Sequence, residues 1–141
     1  MRQSQRYDLE APLRPTDKKD SFFMTDLLYI FFSCPGDVAL TGSKDRTCKV
    51  WRVSSGTCLR SLPHSSELNC VTMNSVVLVT GDEFSDVFVW DLEACINPDV
   101  EEGSSKLLLR TLTGHNGTVH SLQFTPTGLV TADVTGLIIA R

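Results

Sequence analysis

Histidine is the most versatile catalytic and metal-binding residue type in this chain, and there are three: His64, His115 and His120. Its imidazole is the commonest metal ligand and the commonest general base near neutral pH. A metal site would also need cysteine or carboxylate ligands at suitable spacing, and none accompanies these histidines. We therefore predict no metal site. His64 and His115 are interpreted below as structural residues, and His120 as an alternating residue of a strand.

Three carboxylates close together in sequence offer the paired acids that a hydrolase would use: Asp82, Glu83 and Asp86. The stretch GDEFSD that contains them is also composed of residues that favour turns, which is the simpler interpretation. The sequence has no GxSxG nucleophile motif, no glycine-rich phosphate loop and no HExxH metal motif. We predict that the chain is not an enzyme and that it has no catalytic residue and no cofactor.

The composition is that of one globular domain with an acidic surface. The 141 residues are 41% hydrophobic and carry a formal net charge of −4, which disfavours binding to nucleic acid phosphates. The five cysteines are odd in number and form no CxxC pair, so we expect them to be reduced in an intracellular, cytoplasmic or nuclear, protein. The longest apolar run, 22–32, is shorter than the roughly 20 residues that span a membrane, so no membrane partner is expected.

The sequence contains one pattern of eleven residues twice. Residues 41–51 read TGSKDRTCKVW, and thirty-nine residues later residues 80–90 read TGDEFSDVFVW. Both copies begin with Thr-Gly and end with a tryptophan, Trp51 or Trp90. Repetition at a period of 20–50 residues is typical of solenoids and propellers.

A third copy follows from the position of the histidines. His64 precedes Thr80 by sixteen residues, and His115 precedes Thr131 by the same number. In every copy, short apolar segments rich in β-branched residues are bounded by Gly, Pro, Asp and Ser, a pattern typical of strands. The register of the third copy places Arg141 where the other copies have tryptophan.

The sequence resembles the WD-repeat family of β-propellers over about residues 22–141. The resemblance depends on VWR at 50–52, VWD at 89–91, Gly114-His115, the TGSKDRT turn and the repeated sixteen-residue spacing. It implies an all-β fold, an incomplete β-propeller of about two and a half to three four-stranded antiparallel blades. We expect repeats at 22–62, 63–112 and 113–141 and a loop insertion at 94–106. Residues 1–21 are expected to form a disordered or loosely ordered polar tail.

The family pattern also implies where the strands lie. The expected strands are 27–32, 38–43, 47–53, 57–62, 68–73, 77–82, 86–91, 107–112, 118–124, 128–132 and 136–140. The insertion, which contains Pro98, Gly103 and several carboxylates, is expected to be a surface loop that leaves the core unchanged. It is either a solvated segment or a docking and phosphorylation segment with Ser104 or Ser105 as acceptor.

In this family a hydrogen-bonded network links a histidine before the first strand, a Ser or Thr on the second, an Asp in the next turn and a Trp on the third. The resemblance assigns eight residues to it: Thr41, Asp45, Trp51, His64, Thr80, Trp90, His115 and Thr131. Phe84 and Thr135 stand at the aspartate place of the second and third copies, with Asp86 two residues beyond the former. No copy is complete.

The resemblance implies a non-catalytic protein–protein interaction scaffold or adaptor. A closed ring needs four to eight blades of about 40–45 residues, so this chain is expected to be a partial or alternative form of a larger propeller protein. The candidate partner-binding residues, chosen by their position in turns, are Lys44, Arg46, Glu83, Ser85 and Asn116. The alternative is an inactive or regulatory truncated fragment that competes with a full-length relative. Self-association through exposed terminal blades also stays open.

Overall fold

Three antiparallel sheets succeed one another along the chain. The computed structural model describes the backbone of residues 27–33 and all of residues 36–141, so the predicted tail at 1–21 lies outside the described residues. The elements are β1 (Leu27–Ser33), β2 (Val38–Ser43), β3 (Thr47–Arg52), β4 (Thr57–Pro63), β5 (Leu68–Met73), β6 (Val77–Asp82), β7 (Val87–Asp91), α1 (Leu92–Ile96), β8 (Leu108–Leu112), β9 (Val119–Thr125), β10 (Gly128–Asp133) and β11 (Ile138–Ala140).

Each sheet corresponds to one copy of the sequence repeat. The first has the strand order β1-β2-β3-β4 and the second β5-β6-β7-β8, whereas the third has three strands, β9-β10-β11. We call these sheets blades 1, 2 and 3. The predicted all-β fold of an incomplete propeller is confirmed, and strand boundaries agree with the prediction to within two residues. The three sheets do not close into a ring.

Strand register gives every blade two faces, because residues paired across neighbouring strands point to the same side. In blade 1, Val50 pairs with both Leu40 and Arg60, and their face looks toward blade 2. The cluster that fills this junction consists of Val38, Leu40, Cys48, Val50, Leu62, Leu68, Val71, Met73, Leu78, Trp90, Cys95 and Leu107. A second cluster joins blade 2 to blade 3 through Cys70, Val79, Val87, Val119 and Leu129.

The glycine of the repeated Thr-Gly pair lets neighbouring blades approach closely. A Cβ atom on Gly42 would lie 2.9 Å from Val71 Cγ1 in blade 2. One on Gly81 would lie 2.8 Å both from Cys70 Sγ and from Val119 Cγ1 in blade 3. Side chains essentially never pack at such distances, so the pattern in the sequence reflects contact between the second strand of one blade and the inner strand of the next.

The turns between the second and third strands share a positive φ angle at one position. Arg46, Ser85 and Gly136 each follow the repeat threonine by five residues, and their φ angles are 72°, 78° and 91°. Only the third is glycine, the residue that adopts positive φ without steric cost.

The insertion after β7 is not only a surface loop, so that prediction is wrong for its first part. Asp91 caps α1 by accepting a hydrogen bond from the Ala94 amide at 3.0 Å. Cys95 on this helix is fully buried, and Leu107 just before β8 is also buried. Both belong to the cluster between blades 1 and 2, so the insertion contributes to the core.

Candidate protein-interaction face

A chain of hydrogen bonds braces blade 2. The Trp90 indole N–H donates to Thr80 Oγ1 at 3.2 Å, and Thr80 Oγ1 lies 2.8 Å from His64 Nε2. His64 Nδ1 lies 3.0 Å from the Leu62 carbonyl, which can only accept, so the proton belongs on Nδ1 and the threonine hydroxyl donates to Nε2. Burial lowers the pKa of His64, which favours this neutral imidazole.

In blade 3 the histidine is hydrogen-bonded to a carboxylate. His115 Nε2 lies 2.6 Å from Thr131 Oγ1, and His115 Nδ1 lies 2.9 Å from Asp133 Oδ2. Burial by itself would raise the pKa of Asp133, but hydrogen bonds from Thr135, the Asn116 amide and His115 outweigh it and hold that pKa below its ordinary value. Asp133 thereby connects the histidine to the turn before β11.

Blade 1 has a shorter version of the same arrangement. The Trp51 indole N–H donates to Thr41 Oγ1 at 3.0 Å. Asp45, predicted to belong to this network, is exposed and accepts a hydrogen bond from the Thr47 amide at 3.0 Å within its own turn.

Sequence reasoning assigned no carboxylate to the networks of blades 2 and 3. The buried aspartates are Asp82 and Asp133, not the residues at the family's place, Phe84 and Thr135. Asp82 Oδ1 accepts from the amides of Phe84 and Asp86, both at 3.0 Å. Its Oδ2 is buried without a hydrogen-bond partner among the described residues. The signal that could have revealed both aspartates is their common position, two residues after the repeat threonine.

These networks hold a continuous surface at one end of the three blades. Backbone hydrogen bonds join the turns: His64 N donates to Arg46 O at 2.8 Å, Glu83 N to Glu67 O at 3.1 Å, and Val134 N to Thr118 O at 2.9 Å. Thr118 Oγ1 also donates to Glu83 O at 3.1 Å, which connects blade 3 to blade 2. We call this surface the rim and define it as residues 43–47, 64–67, 82–87, 113–118 and 133–138.

All five candidate partner-binding residues lie on the rim. Lys44, Arg46 and Asn116 are exposed, and Glu83 and Ser85 are half-buried. The two basic residues belong to blade 1, where the exposed carboxylate of Asp45 stands between them, and the carboxylates Glu67, Glu83 and Asp86 belong to blade 2.

Sequence reasoning missed three exposed apolar side chains on the rim, and one of them, Ile138 at the start of β11, is 66% exposed. Phe84 is 66% exposed and Val134 is 63% exposed, and each lies at the tip of a turn between the second and third strands of its blade. Apolar side chains in the middle of a polar surface are typical of protein contacts. In the sequence, Phe84 stands out only as a departure from the family pattern, which does not indicate its exposure.

The described residues hold no group of three or more His, Cys, Asp or Glu side chains arranged to bind a metal ion. Within residues 27–33 and 36–141, no helix has the length and apolar character needed to cross a membrane.

Comparisons with known proteins agree with this architecture. The family model "WD domain, G-beta repeat" matches residues 21–52 and 106–137. An F-box/WD-40 repeat-containing protein of Arabidopsis thaliana is 32% identical over 78 residues, which are 52% of this chain and span only 14% of that protein's length.

Solved structures show the same likeness. The computationally designed Ika4 protein is 25% identical with a TM-score of 0.68, over 84% of this chain and 67% of that one. The WD40 repeats of RRP9 are 23% identical with a TM-score of 0.64, over 76% of this chain and 32% of that one.

The sheets, their order and the threonine-centred networks define an array of β-propeller blades. Residues 21–52 and 106–137 match the WD-repeat family model, and the described residues form two four-stranded blades and a third blade of three strands.

Proposed function

We propose that this chain is a non-catalytic protein–protein interaction scaffold or adaptor, acting inside the cell in the cytoplasm or nucleus. The observation that carries the proposal is the rim, where braced turns present the exposed apolar side chains of Phe84 and Val134 on a polar surface. The absence of a catalytic motif from the sequence also favours binding over catalysis. The F-box/WD-40 relative and the propeller structures support a platform for protein partners.

We further infer that the chain is a partial or alternative form of a larger propeller protein. Propellers close with four to eight blades, and three blades leave both ends of the array unclosed. Blade 3 also lacks a fourth strand, so the outer edge of β11 has no neighbouring strand in its sheet. Such an edge favours pairing with another chain, including a second copy of this one.

The proposal is tested by proximity labelling in cells with a rim variant. Phe84→Ser with Lys44→Glu changes the apolar and the basic part of the rim, whereas Ser54→Glu with Ser55→Glu alters an exposed turn outside it and serves as the matched control. If the chain is a scaffold, the parent and the control variant should label the same partners, and the rim variant should no longer label them. Equal labelling by all three proteins would refute the rim as the binding face.

An inactive or regulatory fragment that competes with a full-length relative is the second candidate, and the unpaired edge of β11 is the observation that favours it. Size-exclusion chromatography with circular dichroism separates the two. A monodisperse species with β-sheet dichroism supports the scaffold. Aggregation or an unfolded monomer supports the fragment.

A further inference from the structure

The two junctions between blades are lined by equivalent residues but differ in how completely they are filled. Val50 pairs with Arg60 in blade 1, and Val89 pairs with Arg110 in blade 2, so the two faces share one register. The first junction buries its four equivalent apolar side chains, which are Val38, Leu40, Val50 and Leu62. Their counterparts in the second junction are Val77, Val79, Val89 and Leu112, and of these only Val79 is buried.

The first junction is filled by a short helical turn that is held by Arg60. This arginine is only 5% exposed. Its guanidinium donates to the carbonyl groups at the end of α1: Nε to Cys95 O at 3.0 Å, and Nη2 to Asn97 O at 2.8 Å and to Ala94 O at 3.3 Å. The fully buried Cys95 side chain and Trp90 belong to the apolar cluster that fills this junction.

The second junction contains a cavity of about 490 Å³ in the corresponding place. Arg110, the counterpart of Arg60, lines it and is exposed, and its guanidinium has no hydrogen bond or ion pair with residues 36–141. Arg141 stands in the place of Trp90, and its guanidinium donates instead to the Thr113 carbonyl. The remaining wall is largely apolar and includes Leu112 and Phe124.

We propose that this cavity is a docking site for one helical turn of a partner polypeptide. The carbonyl groups at the end of that turn accept hydrogen bonds from Arg110, and one small apolar side chain enters the cavity as Cys95 does in the first junction. The cavity has the size of a ligand site, for which roughly 300–1,000 Å³ is usual. The C-terminal end of a helical turn carries partial negative charge, which suits a guanidinium.

This inference rests on the proposed scaffold function, because that function implies that the partner is a protein. The test of the cavity uses a peptide of this chain and does not depend on the scaffold function. The probe is a peptide with the sequence of residues 91–97, blocked at both ends and kept under reducing conditions. It is titrated into the isotopically labelled full chain, and amide chemical shifts are followed. Saturable shifts should be confined to the residues around Arg110, Leu112 and Phe124.

Arg110→Ala should weaken peptide binding by about tenfold or more, since hydrogen bonds to charged groups are the strongest of their kind. Lys106→Ala is the matched control, because Lys106 is an exposed cation that does not line the cavity. The affinity of this variant for the peptide should equal that of the parent chain. As a second readout, the same seven residues fused after Arg141 should raise the melting temperature of the parent chain by several degrees and leave that of the Arg110→Ala variant unchanged.

The proposal is overturned if the peptide shows no saturable binding at millimolar concentration and its fusion leaves the melting temperature unchanged. It is equally overturned if Arg110→Ala binds as the parent does, or if the shifts centre on the first junction. Partners labelled in cells equally by the parent and by Arg110→Ala would overturn this site while leaving the scaffold function intact. Peptide binding without any labelled partner would support the site and contradict the scaffold function.

Discussion

Replacing Arg60 with alanine tests whether one buried cation holds the insertion onto blade 1. Three of its four hydrogen bonds reach carbonyl oxygens of Ala94, Cys95 and Asn97, and the fourth, at 3.0 Å, reaches Glu102, whose side chain is 71% exposed. A hydrogen bond to a charged group contributes about 1.5–3 kcal/mol, but several on one side chain are not additive. An exposed ion pair adds only about 0–1 kcal/mol. We therefore expect Arg60→Ala to lower the free energy of unfolding by about 3–5 kcal/mol.

The expected loss is measured by urea unfolding, and local release of the insertion by the rate of trypsin cleavage after Lys106. An opening made easier by about 3 kcal/mol should raise that rate by about a hundredfold. Arg110→Ala is the matched control, because the equivalent side chain is exposed and should change stability by no more than about 0.5 kcal/mol. If both variants lose the same stability and are cleaved at the parent rate, Arg60 does not hold α1 and the reasoning fails.

Three smaller perturbations test the bracing of blade 2. Thr80→Val should cost about 2–4 kcal/mol in urea unfolding, more than Thr41→Val, because it removes hydrogen bonds to the buried Trp90 and to the half-buried His64 and not to one tryptophan alone. Equal losses would contradict the network. Gly81→Ala should cost about 1–3 kcal/mol by thermal unfolding, since its Cβ would lie 2.8 Å from Cys70 Sγ; an unchanged melting temperature would rule out the close approach. Because the pKa of His64 is lowered in the folded chain, the unfolded chain binds this proton more readily, and stability should fall as pH decreases below about 6.5. His64→Asn should flatten that slope between pH 7.5 and 5.5, and an unchanged slope would exclude His64 as its cause.

The strands and the blade order could be predicted because the signals for them are local and repeated. Thr-Gly marks where one blade approaches the next, and the tryptophan that ends the segments CKVW and VFVW marks the third strand. The donor and acceptor pairs Trp51–Thr41 and Trp90–Thr80 follow from this repetition, because the same sequence spacing places them across the same strand pair.

The rest depends on tertiary contacts that the repeat does not encode. Helix α1 has five residues, too few for a helical period to be recognised, and it is held by Arg60 from another blade. Arg60 and Arg110 occupy equivalent positions in strand pairing, although one is buried and the other exposed. Asp133 was missed because its carboxylate reaches His115 from a position outside the family's usual place.

The shared positive φ of the turns has a consequence for specificity. Arg46 and Ser85 adopt a conformation that ordinarily favours glycine, as Gly136 does in the third turn. The positive φ at this position is therefore kept with an arginine, a serine or a glycine there. Selectivity for one binding partner over another can then change by substitution alone, without remodelling the architecture beneath.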